Sequence, residues 1–183
     1  MSGRTSELER LAREAGGDWL AVARLARLLA LAARAELVLD VGAGPGVVSL
    51  WLADAVAETG GHLIVLEREP AAIERLTVQL KALGLAERVQ VLQGDAHRTI
   101  RTVAGTIDFV RLAADRAGYV DYPQAVRHRL RRGGVLLAEG LRRPETDAFR
   151  RVVEDDDRFA AVEVPFCGGC LVAVWWPGER ATL

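Results

Sequence analysis

Leu37-Val38-Leu39-Asp40-Val41-Gly42-Ala43-Gly44-Pro45-Gly46 is an apolar run carrying one acid, Asp40, that breaks into three glycines at alternate positions. Five residues of this kind suit a strand buried on both faces. Gly42, Gly44 and Gly46 let the backbone turn tightly and approach a ligand without Cβ clashes. A helix is expected from Val47 to Glu58, so the turn brings a ligand to free N–H groups at a helix N-terminus. Downstream, Leu63-Ile64-Val65-Leu66 forms a second apolar strand ending in Glu67, 21 positions beyond Gly46. An acid at about that distance is placed to grip a ribose diol.

The order of the motif separates ligand classes. Dinucleotide turns read G-x-G-x-x-G, with a helix N-terminus facing a pyrophosphate. Here the order is Asp40-x-Gly42-x-Gly44-x-Gly46. A carboxylate at the strand end repels a pyrophosphate and suits an ammonium group. The turn therefore resembles the first motif of class I S-adenosylmethionine-dependent methyltransferases, whose cofactor carries an adenine, a ribose and a cationic amino acid.

Composition bounds the rest. The chain has 183 residues, half of them apolar, with a formal net charge of −1. That length suits one domain, read here as 1–183. No apolar run reaches about 18 residues, and Met1-Ser2-Gly3-Arg4 opens no secretory signal, so no membrane partner and a cytoplasmic location are expected. Arginines cluster at Arg127 to Arg132 and Arg142 to Arg151, but acids such as Glu154 to Asp157 balance them. A solvated surface, with no nucleic acid bound, is the better reading. Cys167-Gly168-Gly169-Cys170 lacks four ligands for zinc and reads as a reduced hairpin turn, with a redox pair as the alternative.

Strand-like runs at 37–41, 62–66, 89–92, 107–112 and 135–138 alternate with helical patterns at 47–58, 70–83 and 122–131. Such alternation predicts α/β architecture, a doubly wound, mostly parallel sheet with helices on both faces. After a helix around 145–154, the runs 159–164 and 171–176 form a hairpin, which makes the last pair antiparallel. The whole predicts a seven-stranded, Rossmann-like sheet over 37–176 with an antiparallel C-terminal hairpin strand. Residues 1–36 supply two helices, 6–14 and 19–33, which pack on the sheet or lid the site.

Further segments resemble the catechol and caffeoyl-coenzyme-A O-methyltransferases. They are Leu50-Trp51-Leu52-Ala53, Gly94-Asp95-Ala96, Ile107-Asp108-Phe109-Val110, Tyr119-x-x-Tyr122, and Leu130 to Ala138 with its Gly133-Gly134 pair. The resemblance implies that Asp40 with the backbone of Gly42, Ala43, Gly44 and Gly46 holds the methionine part of S-adenosylmethionine. It implies Glu67 for the ribose, Asp95 and Ala96 for the adenine edge, and Arg68 and Ala113 beside them. S-adenosylhomocysteine would be the product. Asp95 also reads as a plain helix N-cap.

The same family binds a divalent metal through an aspartate after the fourth strand and an Asp-Asn pair after the fifth. Here those positions are Ala113 and Glu139-Gly140, and the family's catalytic lysine becomes Arg116. Arginine keeps the charge but does not act as a base near neutral pH. Asp115, with the alignment shifted by two, would supply one ligand and leave Gly140 without one. Metal-independence is therefore expected, since one or two carboxylates make a weak site.

Arg111 sits inside the fourth strand, where a doubly covered sheet is apolar. It reads either as a buried pair with an acid such as Glu139, or as a pocket residue that binds an anionic substrate group. Glu139, Asp115 and Arg111 are the catalytic candidates. His97 is a further base candidate that also reads as a helix-start residue. The expected activity is O-methylation of a small molecule. A binding protein or non-methylating enzyme on the same scaffold is the alternative, and an RNA or protein methyltransferase is disfavoured by the balanced charge. With a short segment before the first strand, the acceptor side is open to completion by a homodimer partner.

Overall fold

The computed structural model describes residues 3–165 and 168–178. In chain order the elements are α1 (Gly3–Glu14), α2 (Trp19–Ala32), β1 (Leu37–Val41), α3 (Val47–Thr59), β2 (His62–Glu67), α4 (Pro70–Ala82) and β3 (Val89–Gln93). There follow α5 (Ala96–Thr99), β4 (Ile107–Leu112), α6 (Tyr122–Val126), β5 (Leu130–Glu139), α7 (Asp147–Glu154), β6 (Phe159–Val164) and β7 (Cys170–Trp175). The strands form one sheet in the order β3-β2-β1-β4-β5-β7-β6. β7 runs antiparallel to both its neighbours, and every other pairing is parallel. The predicted seven-stranded sheet with its antiparallel hairpin strand is what the chain adopts.

Side chains alternate across a strand, so each central strand feeds two layers. Val38 of β1 packs with α1, α2, α3 and α4 on one face, while Leu39 and Val41 pack with Tyr119, Tyr122 and Phe149 on the other. Sequence order turns back between β1 and β4, because β2 and β3 lie to one side of β1 and β4 to the other. In open α/β sheets that reversal leaves a crevice at the carboxyl ends of the strands.

The two N-terminal helices dock on the first layer. Val22, Ala23, Ala26 and Ala30 of α2 recur at helical spacing and are buried, and their small side chains let α2 lie close to α3. Asp54, buried on α3, ties both helices down: it meets Arg4 of α1 at 2.8 Å and Arg27 of α2 at 2.7 Å. At the opposite, amino end of the sheet, the buried Asp108 accepts from the N–H groups of Glu36 and Leu37, each at 2.8 Å, and from Arg131.

Two sequence expectations are corrected here. The helix expected over 122–131 stops at Val126, and β5 begins at Leu130 rather than Val135. The cause is a bulge: Leu130 pairs with Ile107, but Val135 pairs with Phe109, so Arg131 to Gly134 loop out against one residue of β4. Arg131 is thereby aimed at Asp108. Asp147 opens α7 only after a 3-10 turn over Pro144–Thr146. Cys167 of the Cys-Gly-Gly-Cys segment lies outside the described residues, and Cys170 is buried in β7. No helix among the described residues is long and apolar enough to cross a membrane.

Candidate active site

The glycine turn is built as its residues demand. Gly42 has φ +93°, and a Cβ there would lie 2.9 Å from the backbone of Ala113 and Ala114. Only glycine meets both constraints, the left-handed backbone and the close pass of the loop after β4. Two hydrogen bonds fix that approach: Gly42 N–H donates to Leu66 O at 2.9 Å, and Ala113 N–H donates to Val41 O at 2.8 Å. The ends of β1, β2 and β4 are thus locked around the turn.

Above it opens a cavity of about 630 Å³ at the carboxyl ends of β1 to β4. Its walls include Gly42 and Gly44 from the turn, Glu67 and Arg68 after β2, Asp95 and Ala96 after β3, and Ala113 and Asp115 after β4. Most of the residues expected around the cofactor come together here. Glu67 is almost buried, and its carboxylate accepts from four backbone N–H groups. Oε2 takes Ala43 at 2.9 Å and Gly44 at 3.2 Å, while Oε1 takes Arg68 at 2.8 Å and Glu69 at 3.0 Å. The acid therefore braces the turn as well as lining the cavity. Asp95 is the helix N-cap read from the sequence, accepting from His97 N–H at 3.0 Å, and it also borders the cavity.

Asp40 stands apart from these residues. It does not reach the cavity but lies fully buried beneath the turn. The pleat of β1 points it at the α3 face, where Ser49 Oγ donates to Oδ2. Its neighbour in register on β4 is Arg111, whose Nη1 donates to Asp40 Oδ1 at 2.7 Å and to Gly42 O at 3.1 Å. The rest of the Arg111 guanidinium forks onto Glu139 at the end of β5, with Nη2 donating to Oε2 at 3.3 Å and Nε to Oε1. Burial pushes the Asp40 carboxyl up from the usual carboxylate range, and Arg111 and Ser49 pull it back. Arg111 stays protonated, because the two carboxylates outweigh its desolvation.

Of the two readings of Arg111, the buried pair is the one its contacts support. With its side chain 1% exposed and its donors spent on two carboxylates and a carbonyl, it offers no face to a substrate anion. Glu139 is also changed as a base candidate: both its oxygens accept from Arg111, so taking a proton would break that fork. Asp115 is exposed at the rim of the large cavity, where it caps the following 3-10 turn through Ala117 N–H at 3.3 Å. His97 is a helix-start residue stacked on Tyr122, with ring centroids 4.6 Å apart.

Tyr122 was not expected as a wall of the cavity. Burial raises its phenol to about 12, so it is a neutral donor there. The signal was present, because Tyr119-x-x-Tyr122 stands at the start of a short helix, but nothing local says which tyrosine faces the ligand. Tyr119 turns inward, where its hydroxyl lies 2.9 Å from Leu112 O and 3.2 Å from Glu139 O and bridges β4 to β5.

A second, smaller cavity of about 260 Å³ lies on the other side of the loop after β4. Arg116, Glu139 and Gly140 line it together with Asp18, Trp19 and Val22 from the start of α2. Both N-terminal helices pack on the sheet, and the start of α2 lines this smaller cavity. At Gly140, φ is +71°, and a Cβ there would fall within 3.0 Å of the Arg116 guanidinium. That guanidinium fills the space a side chain at 140 would take.

Known proteins agree with this architecture. Residues 38–134 match the family model described as a methyltransferase domain. A catechol O-methyltransferase of Mycobacterium tuberculosis is 37% identical over 115 residues, 62% of this chain and 52% of that protein, so the chain spans about half the length of that relative. Among solved structures, a methyltransferase of Podospora anserina bound to S-adenosylhomocysteine superposes with a TM-score of 0.81 at 19% identity, covering 97% of this chain and 89% of that one. An O-methyltransferase of Bacillus cereus, also with S-adenosylhomocysteine, gives 0.80 at 19% identity over 96% and 91%. With its sheet order, its glycine turn and the match across more than half its length, the chain belongs to the methyltransferase domain family, in the class I S-adenosylmethionine-dependent form.

Proposed function

We propose that this chain, read as one domain, transfers a methyl group from S-adenosylmethionine to an oxygen of a small molecule without a divalent metal. The observation that carries the reading is the 630 Å³ cavity over the glycine turn, with one acid at the end of β2 and another at the end of β3. Its residues fit the cofactor. A Cβ added to Gly44 would meet nothing within 4 Å, so the turn's backbone faces open space for a ligand. Glu67 stands where ribose hydroxyls would donate, and Asp95 and the Ala96 backbone where an adenine edge would lie. Tyr122 and the His97 ring stacked on it add an aromatic wall.

The residues do not fit a divalent metal. Ala113 and Gly140 bring no side-chain oxygen, and the fixed cation of Arg116 fills the space beside Gly140. A hard cation asks for several oxygen ligands and is repelled by a guanidinium. The reaction is therefore read through alignment: the cofactor supplies a methyl on a sulfonium, already a good leaving group, and the protein holds an acceptor oxygen in line with it.

Titration with S-adenosylhomocysteine tests the cofactor half, where absence of both binding heat and thermal shift would sink the proposal. Turnover of methyl-labelled cofactor on a panel of small phenols tests the other half. Activity is expected to persist in excess chelator, and strict dependence on magnesium would overturn metal-independence.

A further inference from the structure

Tyr119 and Tyr122 stand three residues apart, and their hydroxyls differ in one respect. The Tyr119 hydroxyl is spent on the carbonyls of Leu112 and Glu139, at 2.9 and 3.2 Å. Tyr122 is only 1% exposed, yet its hydroxyl makes no hydrogen bond among the described residues, and only burial and nearby charges act on it. A buried donor left without an acceptor is costly, and a ligand that supplies the acceptor recovers that cost.

We infer that the Tyr122 hydroxyl donates a hydrogen bond to a ring nitrogen of the cofactor's adenine; this rests on the reading of the large cavity as the S-adenosylmethionine site. Tyr122 walls that cavity together with Asp95, Ala96 and His97. Its ring is held in place by His97, stacked on it at 4.6 Å with 12° between the planes. His97 is wedged in turn: a Cβ at Gly118 would strike its ring, and its Nδ1 lies 3.8 Å from Asp121. Because His97 directly follows Asp95 and Ala96, the stack sets Tyr122 at the end of the cavity where the adenine edge would lie. The charges agree, since Asp95 acts on the phenol more strongly than Asp115 or Asp121.

The chemistry of the group sets what it binds. Burial, with those three acids, pushes the phenol up to about 12, so it keeps its proton and donates. The acids are engaged elsewhere: Asp95 accepts from His97 N–H at 3.0 Å, Asp115 accepts from Ala117 N–H at 3.3 Å, and Asp121 faces His97. A neutral donor suits a neutral acceptor, and the adenine ring offers nitrogen lone pairs and no carbonyl. An acid that accepts from the amino group and a phenol that donates to the ring hold the base at two points, which fixes its tilt against the aromatic wall.

The test is titration calorimetry of the wild-type protein and Tyr122→Phe, which keeps the ring and its stack on His97. The probes are S-adenosylhomocysteine and its 1-deaza, 3-deaza and 7-deaza analogues, each with a carbon in place of one ring nitrogen. Tyr122→Phe is expected to weaken S-adenosylhomocysteine about three- to tenfold, the worth of one neutral hydrogen bond. One of the analogues, the one that lacks the accepting nitrogen, is expected to bind both proteins equally, while the other two show the full loss. No loss in Tyr122→Phe, or an equal loss with all three analogues, would overturn the assignment. Without ligand, Tyr122→Phe is expected to melt at the wild-type temperature, whereas Tyr119→Phe, which gives up a hydrogen bond, melts about 2–4 °C lower. A drop of that size in Tyr122→Phe would mean an internal partner for the hydroxyl and would also overturn it. Failure of S-adenosylhomocysteine to bind the wild-type protein would instead refute the reading of the cavity as a cofactor site, an outcome separate from all of these.

Discussion

Replacing Arg111 with methionine removes a cation from between two carboxylates while leaving a side chain of similar reach. Arg111 and Asp40 are essentially inaccessible and Glu139 nearly so, so solvent does little to screen the charges left behind. Removing one partner of a buried ion pair costs about 3–5 kcal/mol, against a total stability of about 5–15 kcal/mol for a domain. For a chain of this length each kcal/mol moves the melting temperature by about 2–4 °C, so Arg111→Met is expected to melt about 6–20 °C lower. The loss also depends on pH, and its sign follows from Asp40. Burial already raises its carboxyl, and without Arg111 that push is less opposed. A carboxyl whose folded value lies above its unfolded value of about 3.9 adds stability below the unfolded value and loses it as pH rises through the folded one. The deficit of the variant is therefore greatest near pH 8 and shrinks toward pH 5. Urea melts of both proteins, followed by circular dichroism at pH 5 and pH 8, measure it. A penalty under about 1 kcal/mol, or one equal at the two pH values, would refute the account of Arg111 as the neutraliser of two buried acids. Adding Asp40→Asn and Glu139→Gln to Arg111→Met should restore most of the loss, because no buried charge then remains.

Gly42→Ala is expected to cost several kcal/mol and to abolish S-adenosylhomocysteine binding, since its Cβ would strike the Ala113 backbone at 2.9 Å, whereas Gly44→Ala, in open space, should cost about 1 kcal/mol by its positive φ alone. Thermal melts of the pair compare them directly. Glu67→Gln should weaken S-adenosylhomocysteine by about tenfold or more in calorimetry, because an amide accepts at only one of the two oxygens that now brace the turn. Asp108→Ala should lower stability by about 2–4 kcal/mol in urea melts, leaving the N–H groups of Glu36 and Leu37 without their acceptor and Arg131 without its carboxylate, while the dissociation constant for S-adenosylhomocysteine stays unchanged at the far end of the sheet.

The sheet was legible because its strands are short apolar runs between clear turn signals, and β1 with its glycines announced the cavity above it. β5 was misjudged at its start, where Leu130 to Gly134 look like the end of a helix plus a turn; the bulge that joins them to the strand depends on pairing with β4. Arg111 stands out as a charge in an apolar strand, and the sequence leaves it open between a pair with an acid such as Glu139 and a contact to an anionic substrate group. Asp40 as the second partner needed the register that sets Asp40 beside Arg111. That pairing sets Asp40 beneath the turn, away from the ligand role that the motif suggested, and ties Glu139 to the same guanidinium. The smaller cavity was the least visible, since Trp19 and Arg116 lie far apart in the chain and meet only because α2 packs across the sheet end. The substitutions at Ala113 and Gly140 were readable one by one. That Arg116 fills the space beside Gly140 was not.

The four N–H groups gathered by Glu67 bear on how selective the large cavity is toward sugars. All the favourable lone-pair directions of that carboxylate are already taken by the protein's own backbone, so a ribose arrives by exchange and not by simple addition. Each hydroxyl that donates to Glu67 displaces or lengthens a bond to the turn, and the net number of hydrogen bonds changes little. Discrimination against a deoxyribose analogue should then be shallow, while the shape of the turn, held by the same carboxylate before any ligand comes, carries the larger share of affinity.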